Sequence, residues 1–105
     1  MRQFCVYRNR NAVSKGAYPL LLNVQSDLVE DLASRVVAPL APAGAFKGKV
    51  IDGLMPTLRI DGADYVMLTA QLSGMSIKGL GAEIADLAGE RHMIMSALDM
   101  LISGI

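Results

Sequence analysis

The chain has 105 residues and a mass of 11.2 kDa, one domain's worth of sequence, so a single core is expected to serve residues 1–105. Ten Lys and Arg balance ten Asp and Glu to a formal charge of zero, which gives no support to a mechanism built on bulk attraction to nucleic acid or anionic lipid. With 52% hydrophobic and 19% charged residues, the composition is that of a chain that buries a core rather than a disordered one.

The longest uncharged stretch, Tyr65 to Ile77, contains Thr, Gln, two Ser and a Gly and falls short of the roughly 20 apolar residues of a membrane span. The segment Met1 to Arg8 lacks the apolar centre of a signal peptide. A lone Cys5 excludes an internal disulfide and fits a reducing compartment, so the cytoplasm is the expected location. Its apolar and aromatic neighbours make Cys5 a buried strand residue rather than a reactive thiol.

In chain order, Phe4 to Tyr7 is β-branched and aromatic and predicts a strand. Arg8 to Gly16 is polar, basic and aperiodic, the pattern of a mobile loop. Tyr18 to Val24 resumes the strand pattern, with Tyr18, Leu20, Leu22 and Val24 on one face, and completes a first hairpin. Leu28 to Leu32 mixes apolar and acidic residues in neither period and predicts an ordered loop. Arg35 to Leu40 is a further strand, stopped by Pro39 and Pro42, which cannot donate to a ladder. Residues 41 to 49 form a Gly/Ala-rich connection. Asp61-Gly62 between Thr57–Ile60 and Ala63–Leu68 predicts a tight hairpin, because Gly tolerates positive φ. Ala70 to Ile77 supplies another short strand, after which Gly79 and Gly81 are expected to release the chain from the sheet.

From Glu83 to Ile102 the period becomes that of a helix, with Leu87, Ile94, Ala97, Leu98 and Leu101 on the buried side. His92, Ser96, Asp99 and Ser103 form a polar outward stripe flanked by Met95 and Met100. Gly89 divides this helix into a short and a long piece, and Gly104 is placed to end it. The fold expected is mainly β, a small barrel or sheet with one long carboxy-terminal helix.

The residues offer little chemistry. One His and one distant Cys make a metal or haem site improbable. Gly79-Leu80-Gly81 lacks the third glycine and the βαβ context of a dinucleotide fingerprint. A Ser-His-Asp triad is compatible with the composition, but no Gly-x-Ser-x-Gly elbow is present, and His92 fits a solvated or partner-facing helix position better than a general base. Basic residues outnumber acidic ones seven to three in positions 1–51 and the ratio reverses beyond. Such asymmetry either steers a partner or simply solvates the surface. Met93, Met95 and Met100 on one helix are core fillers or an adaptable contact surface.

Gln3-Phe4-x-Val6-Tyr7, Val24-Gln25-Ser26-Asp27-Leu28, Val37-Ala38-Pro39-Leu40, Glu83-x-Ala85-Asp86-Leu87 and the terminal Gly104-Ile105 together resemble the CcdB family of toxins, over essentially the whole chain. The resemblance implies a homodimer with an SH3-like β barrel and a carboxy-terminal helix. It also implies a poison that binds the DNA gyrase A subunit and traps gyrase on cleaved DNA, performing no chemistry itself. This agrees with the residues read by themselves, which point to no metal, no cofactor, no basic patch for direct contact with nucleic acid, and no membrane span. A cognate antitoxin would neutralise it through a flexible carboxy-terminal segment. Carried over by motif, Ser26, Leu28, Val29 and Glu30 correspond to a loop contact with gyrase, and His92, Met95, Ser96, Asp99, Ser103, Gly104 and Ile105 to a helical one. The best-known member has Trp third from its end, where this chain has Ser103, which removes a large apolar contact. The rivals are an RNA-cleaving toxin of the MazF type, since that barrel is similar, and a domesticated, non-toxic binding module.

Overall fold

The computed structural model describes residues 1–104. Seven antiparallel strands form one curled sheet: β1 (Cys5–Asn9), β2 (Leu20–Asn23), β3 (Ser34–Pro42), β4 (Thr57–Ile60), β5 (Ala63–Met67), β6 (Ser73–Ser76) and β7 (Leu80–Asp86). The order is β4-β5-β3-β2-β1-β7, and β6 pairs with β3 beside β5. The single helix α1 (Arg91–Ser103) follows. This is the mainly β architecture of an SH3-like barrel with a carboxy-terminal helix, as expected. Among the described residues no helix is long and apolar enough to cross a membrane.

Both faces of the central strands are buried, which is why they read as unbroken apolar runs rather than alternating ones. Val6, Leu20, Leu22 and Leu40 pack with Ile94 of α1 in the main core, whereas Cys5, Tyr7, Leu21, Val37 and Leu80 form a second cluster. The period-two reading of residues 18–24 captured only one of these faces. Cys5 is fully buried, as its neighbours indicate.

Pro39 does not stop β3. The strand runs through it because β3 pairs with β6 over Ser34–Val37 and with β5 over Leu40–Pro42 on the same side, and Pro39 lies at the seam between the two. Its carbonyl accepts the Leu68 N–H at 2.9 Å, so the nitrogen of that residue also faces the seam and no ladder bond with β2 is lost.

The segment Arg8–Gly16 is more ordered than its composition indicates. Arg8 and Asn9 belong to β1, and the Asn11 side-chain oxygen accepts from the N–H groups of Val13 and Ser14 at 2.9 and 3.1 Å. The expected release at Gly79 and Gly81 does not occur, and the expected helix from Glu83 is replaced by β7, which pairs with β1. Glu83, Ala85 and Asp86 carry helix-compatible side chains, but β1 offers an unpaired edge, and satisfying it outweighs local propensity. Leu87 is buried beyond the strand, its N–H bonded to the Phe4 carbonyl at 2.8 Å. Ala88–Glu90 is a 3-10 turn with Asp86 Oδ1 accepting from Ala88 N–H at 2.9 Å, so α1 begins just after Gly89. Ile94 and Ala97 are fully buried and Leu98 and Leu101 half-buried, and Gly104 ends the helix with φ 75°.

The Asp61-Gly62 hairpin forms as the sequence predicts, with φ of 51° and 80° and the Ile60–Ala63 pair closing it. A Cβ at Gly62 would meet no neighbour, so its requirement is purely conformational. Gly62→Ala should therefore lower stability by about 1–2 kcal/mol. Gly16→Ala, at an open position with ordinary φ, should stay within about 0.5 kcal/mol of the parent. Urea denaturation of both variants checks the contrast; equal losses would contradict it.

Candidate functional site

The segment after β2 is held out from the body as a rigid projection. Asp27–Val29 is a 3-10 turn in which Ser26 Oγ accepts the Leu28 N–H at 3.1 Å. Gln25 spans its base, donating to Val29 O at 2.9 Å and accepting from Val36 N–H at 3.0 Å. Arg35, 7% exposed, donates to the carbonyls of Glu30, Leu32 and Ser34. Its guanidinium satisfies three acceptors that would otherwise leave the loop loose. Leu28 is nevertheless 95% exposed, and Val29 and Leu32 are exposed beside it. Sequence reasoning marked Leu28–Leu32 as an ordered loop but missed both its projection and its clamp; the available signal was a lone Arg opening an apolar strand.

On α1, His92, Ser96, Asp99 and Ser103 all face solvent, as their spacing predicts. Ser103 Oγ donates to Asp99 O at 2.7 Å. Ser96 also borders a cavity of about 330 Å³ between the helix and residues 50–57. The methionines are less free: Met95 is half-buried against the main core, and Met100 lies under Gly53, where a Cβ would come within 2.9 Å of its Cε. Gly104 is exposed at the helix end, and Ile105 lies outside the described residues.

Gln3 links turn and helix. Its N–H donates to Asp27 Oδ1 at 2.8 Å, its Nε2 donates to Val24 O at 3.1 Å, and its Oε1 accepts from Arg91 Nη1 at 3.3 Å. The amino-terminal end of α1 is thereby tied to the projecting turn, while Asp99, Ser103 and Gly104 lie two or more helical turns farther along. Elsewhere, Arg8, Arg10 and Lys15 line one open trough. A chain of zero net charge thus carries a local basic patch, assembled from the basic segment after Tyr7.

The titratable groups of β1 are tuned toward inertness. Burial pushes the Cys5 thiol up, with the charges of Glu83 and Asp86 acting in the same direction, so the thiolate nucleophile is disfavoured. Tyr7, whose hydroxyl donates to Glu83 Oε1 at 3.4 Å, is raised to about 12, chiefly by burial. The folded chain thus keeps a proton that the unfolded chain releases near pH 10. The resulting stability is fully present below pH 10 and is lost as pH rises through about 12. Tyr7→Phe should flatten the decline of the denaturation midpoint over that window; an unchanged decline would assign it to other groups.

The sequence profile of the CcdB protein family matches residues 3–104. Among solved structures, the chain is similar to an endoribonuclease in complex with its cognate antitoxin from a mycobacterial species, with a TM-score of 0.75 and 16% identity over 97% of this chain and 94% of that one. At that identity the likeness is one of fold. The profile match spans the projecting turn, the sheet and the helix together, and the chain belongs to the CcdB family, the toxins of toxin–antitoxin systems.

Proposed function

We propose that this chain is the toxin of a toxin–antitoxin pair that binds the A subunit of DNA gyrase and traps the enzyme on cleaved DNA, with no chemistry of its own. The observation that carries this reading is the pairing of a clamped turn holding Leu28 95% exposed with an exposed helical stripe tied to it through Gln3. A preorganised apolar projection loses little entropy on docking, and an exposed leucine has reason to persist when a partner covers it. The contact set is the turn residues Ser26, Leu28, Val29 and Glu30 together with the α1 stripe and the chain end. A cognate antitoxin opposes the toxin by covering part of this surface in the cytoplasm.

The protein is a homodimer in this reading, supported by family membership and by the exposed apolar residues Val36, Val50, Ile51 and Ile102. Sedimentation at micromolar concentration should show a dimer, and a monomer there would count against it.

Supercoiled DNA incubated with purified gyrase and the protein tests the target. Wild type should accumulate cleaved DNA. Leu28→Asp, at a position with almost no contact to the fold, should lose at least about tenfold in trapping with an unchanged melting temperature. Removal of residues 103–105 takes away the Gly104 cap and, among the described residues, no buried methylene, so it should cost at most about 1 kcal/mol while abolishing trapping. Ser103→Trp should strengthen trapping, since an aromatic anchor contributes on the order of 1–3 kcal/mol when a pocket receives it. RNA cleavage without gyrase would replace this reading by a ribonuclease, and no effect on either substrate would replace it by a binding module.

A further inference from the structure

Three cations converge on one open trough of about 610 Å³. Arg8 on β1, Arg10 just beyond it and Lys15 in the following turn line it, with residues 80–82 of β7 opposite. No carboxylate lines the trough. Among the described residues the ion pairs are Arg2–Asp86 and Arg59–Asp64, and neither involves these three cations.

The trough is fixed in shape from both sides. Asn9, 7% exposed, donates through Nδ2 to Ser14 Oγ at 3.0 Å and to Tyr18 O at 2.8 Å, and its Oδ1 accepts from Asn11 N–H at 2.9 Å. The Arg10 and Lys15 N–H groups donate to Gly79 O and Asn11 O at 3.1 and 2.9 Å. On the far wall, Tyr7 pairs with Glu83 and Asn9 with Leu80, so two steps along β1 match three along β7, and Arg8 stands opposite a bulge at Gly81 and Ala82. Bulges re-aim neighbouring side chains. A Cβ on Gly81 would stand 3.2 Å from Arg8 Cβ, Arg8 O and Arg10 Cγ. The stems of both arginines therefore pack over bare backbone, and both side chains line the same trough.

The geometry points to a binding site for the phosphates of a single-stranded nucleic-acid backbone. Guanidinium groups match phosphate bidentately, and a lysine adds a point charge beside them. The trough is open to solvent, which leaves room for a strand to lie over it. No aromatic side chain lines it, so there is no platform for base stacking and recognition is independent of sequence. A net charge of zero adds no long-range attraction, so binding is local to about three phosphates, with log K falling against log salt with a slope of about −2. An acidic peptide offers the same cations its carboxylates. To pair along the free edge of β7, however, it must pass Glu83 and Asp86, whereas a nucleic-acid strand needs only the trough. Net charge, on which the expectation of no nucleic-acid contact rests, is blind to this placement. The site stands whether or not gyrase is the target.

Fluorescence anisotropy of the full chain with short labelled oligo(U) and oligo(dT), at rising salt, tests it. Wild type should bind both with a slope of about −2, and R8Q/R10Q should lose about tenfold at low salt with a slope below about −1 in magnitude. G81V keeps every charge but displaces the arginine stems, and should also weaken binding; R59Q, outside the trough, should bind as wild type. If R8Q/R10Q fails to fold, as judged by its melting temperature, K15Q should show a loss and a shallower slope. Four outcomes would overturn the proposal: no salt-dependent binding by wild type, undiminished binding by a folded R8Q/R10Q or K15Q, displacement of the strand by pyrophosphate at equal phosphate concentration, or tighter binding of a poly-glutamate peptide than of the strand.

Discussion

Phe4 holds a left-handed backbone, φ 67°, which costs an aromatic residue on the order of 1–2 kcal/mol, and much of the molecule is arranged around that turn. Its N–H donates to Asn23 O at 2.6 Å and its carbonyl accepts from Leu87 N–H at 2.8 Å. Its ring is buried in the main core, and the Arg91 guanidinium lies 5.4 Å from the ring centroid. One residue thus joins the end of β2, the exit of β7 and the start of α1. Because the chain turns there, Gln3 is left between Asp27 and Arg91 and bridges them. The relative placement of the projecting turn and the helix follows from this strained position, with the strain offset by core burial and two backbone bonds.

The nine-residue β3 supplies the other organising constraint. It pairs with β2 along one edge and with β5 and β6 end to end along the other, so the sheet must curl as its far side divides. A proline in such a strand is tolerable only where no ladder bond is required, and the division provides that place at Pro39. Burial on both faces follows from the curl, since α1 covers one cluster while the curled sheet, with Met75 of β6, packs against the other.

Charge is distributed by the fold in a way that its sum conceals. The end of β1 and the β1–β2 connection gather Arg8, Arg10 and Lys15, whereas Arg35 is spent internally, clamping three carbonyls beneath the projecting turn. Glu83 and Asp86 sit on β7 beside Tyr7 and Arg2. The surface therefore presents two distinct recognition chemistries, an exposed apolar turn with a polar helix stripe and a cationic trough. A protein-binding role draws on the first, and the second is independent of it.

How much of this was legible in the sequence depended on whether a signal is local. The Asp61-Gly62 hairpin, the αL ending at Gly104, the outward stripe from His92 to Ser103 and the buried positions Ile94 and Ala97 were determined by the sequence alone, because each rests on backbone preference or on the period of one element. Leu28–Leu32 was legible as an ordered loop only because it fits neither period, and Ser26 and Leu28 were marked as a contact by the motif resemblance alone. Other features were decided only by tertiary structure. Residues 80–86 became a strand because β1 left hydrogen-bonding groups to satisfy, and Pro39 entered a strand because its two partners part beside it. In both cases the deciding partner is distant in sequence, and a hydrogen bond to such a partner outweighs the fraction of a kcal/mol by which local propensities differ.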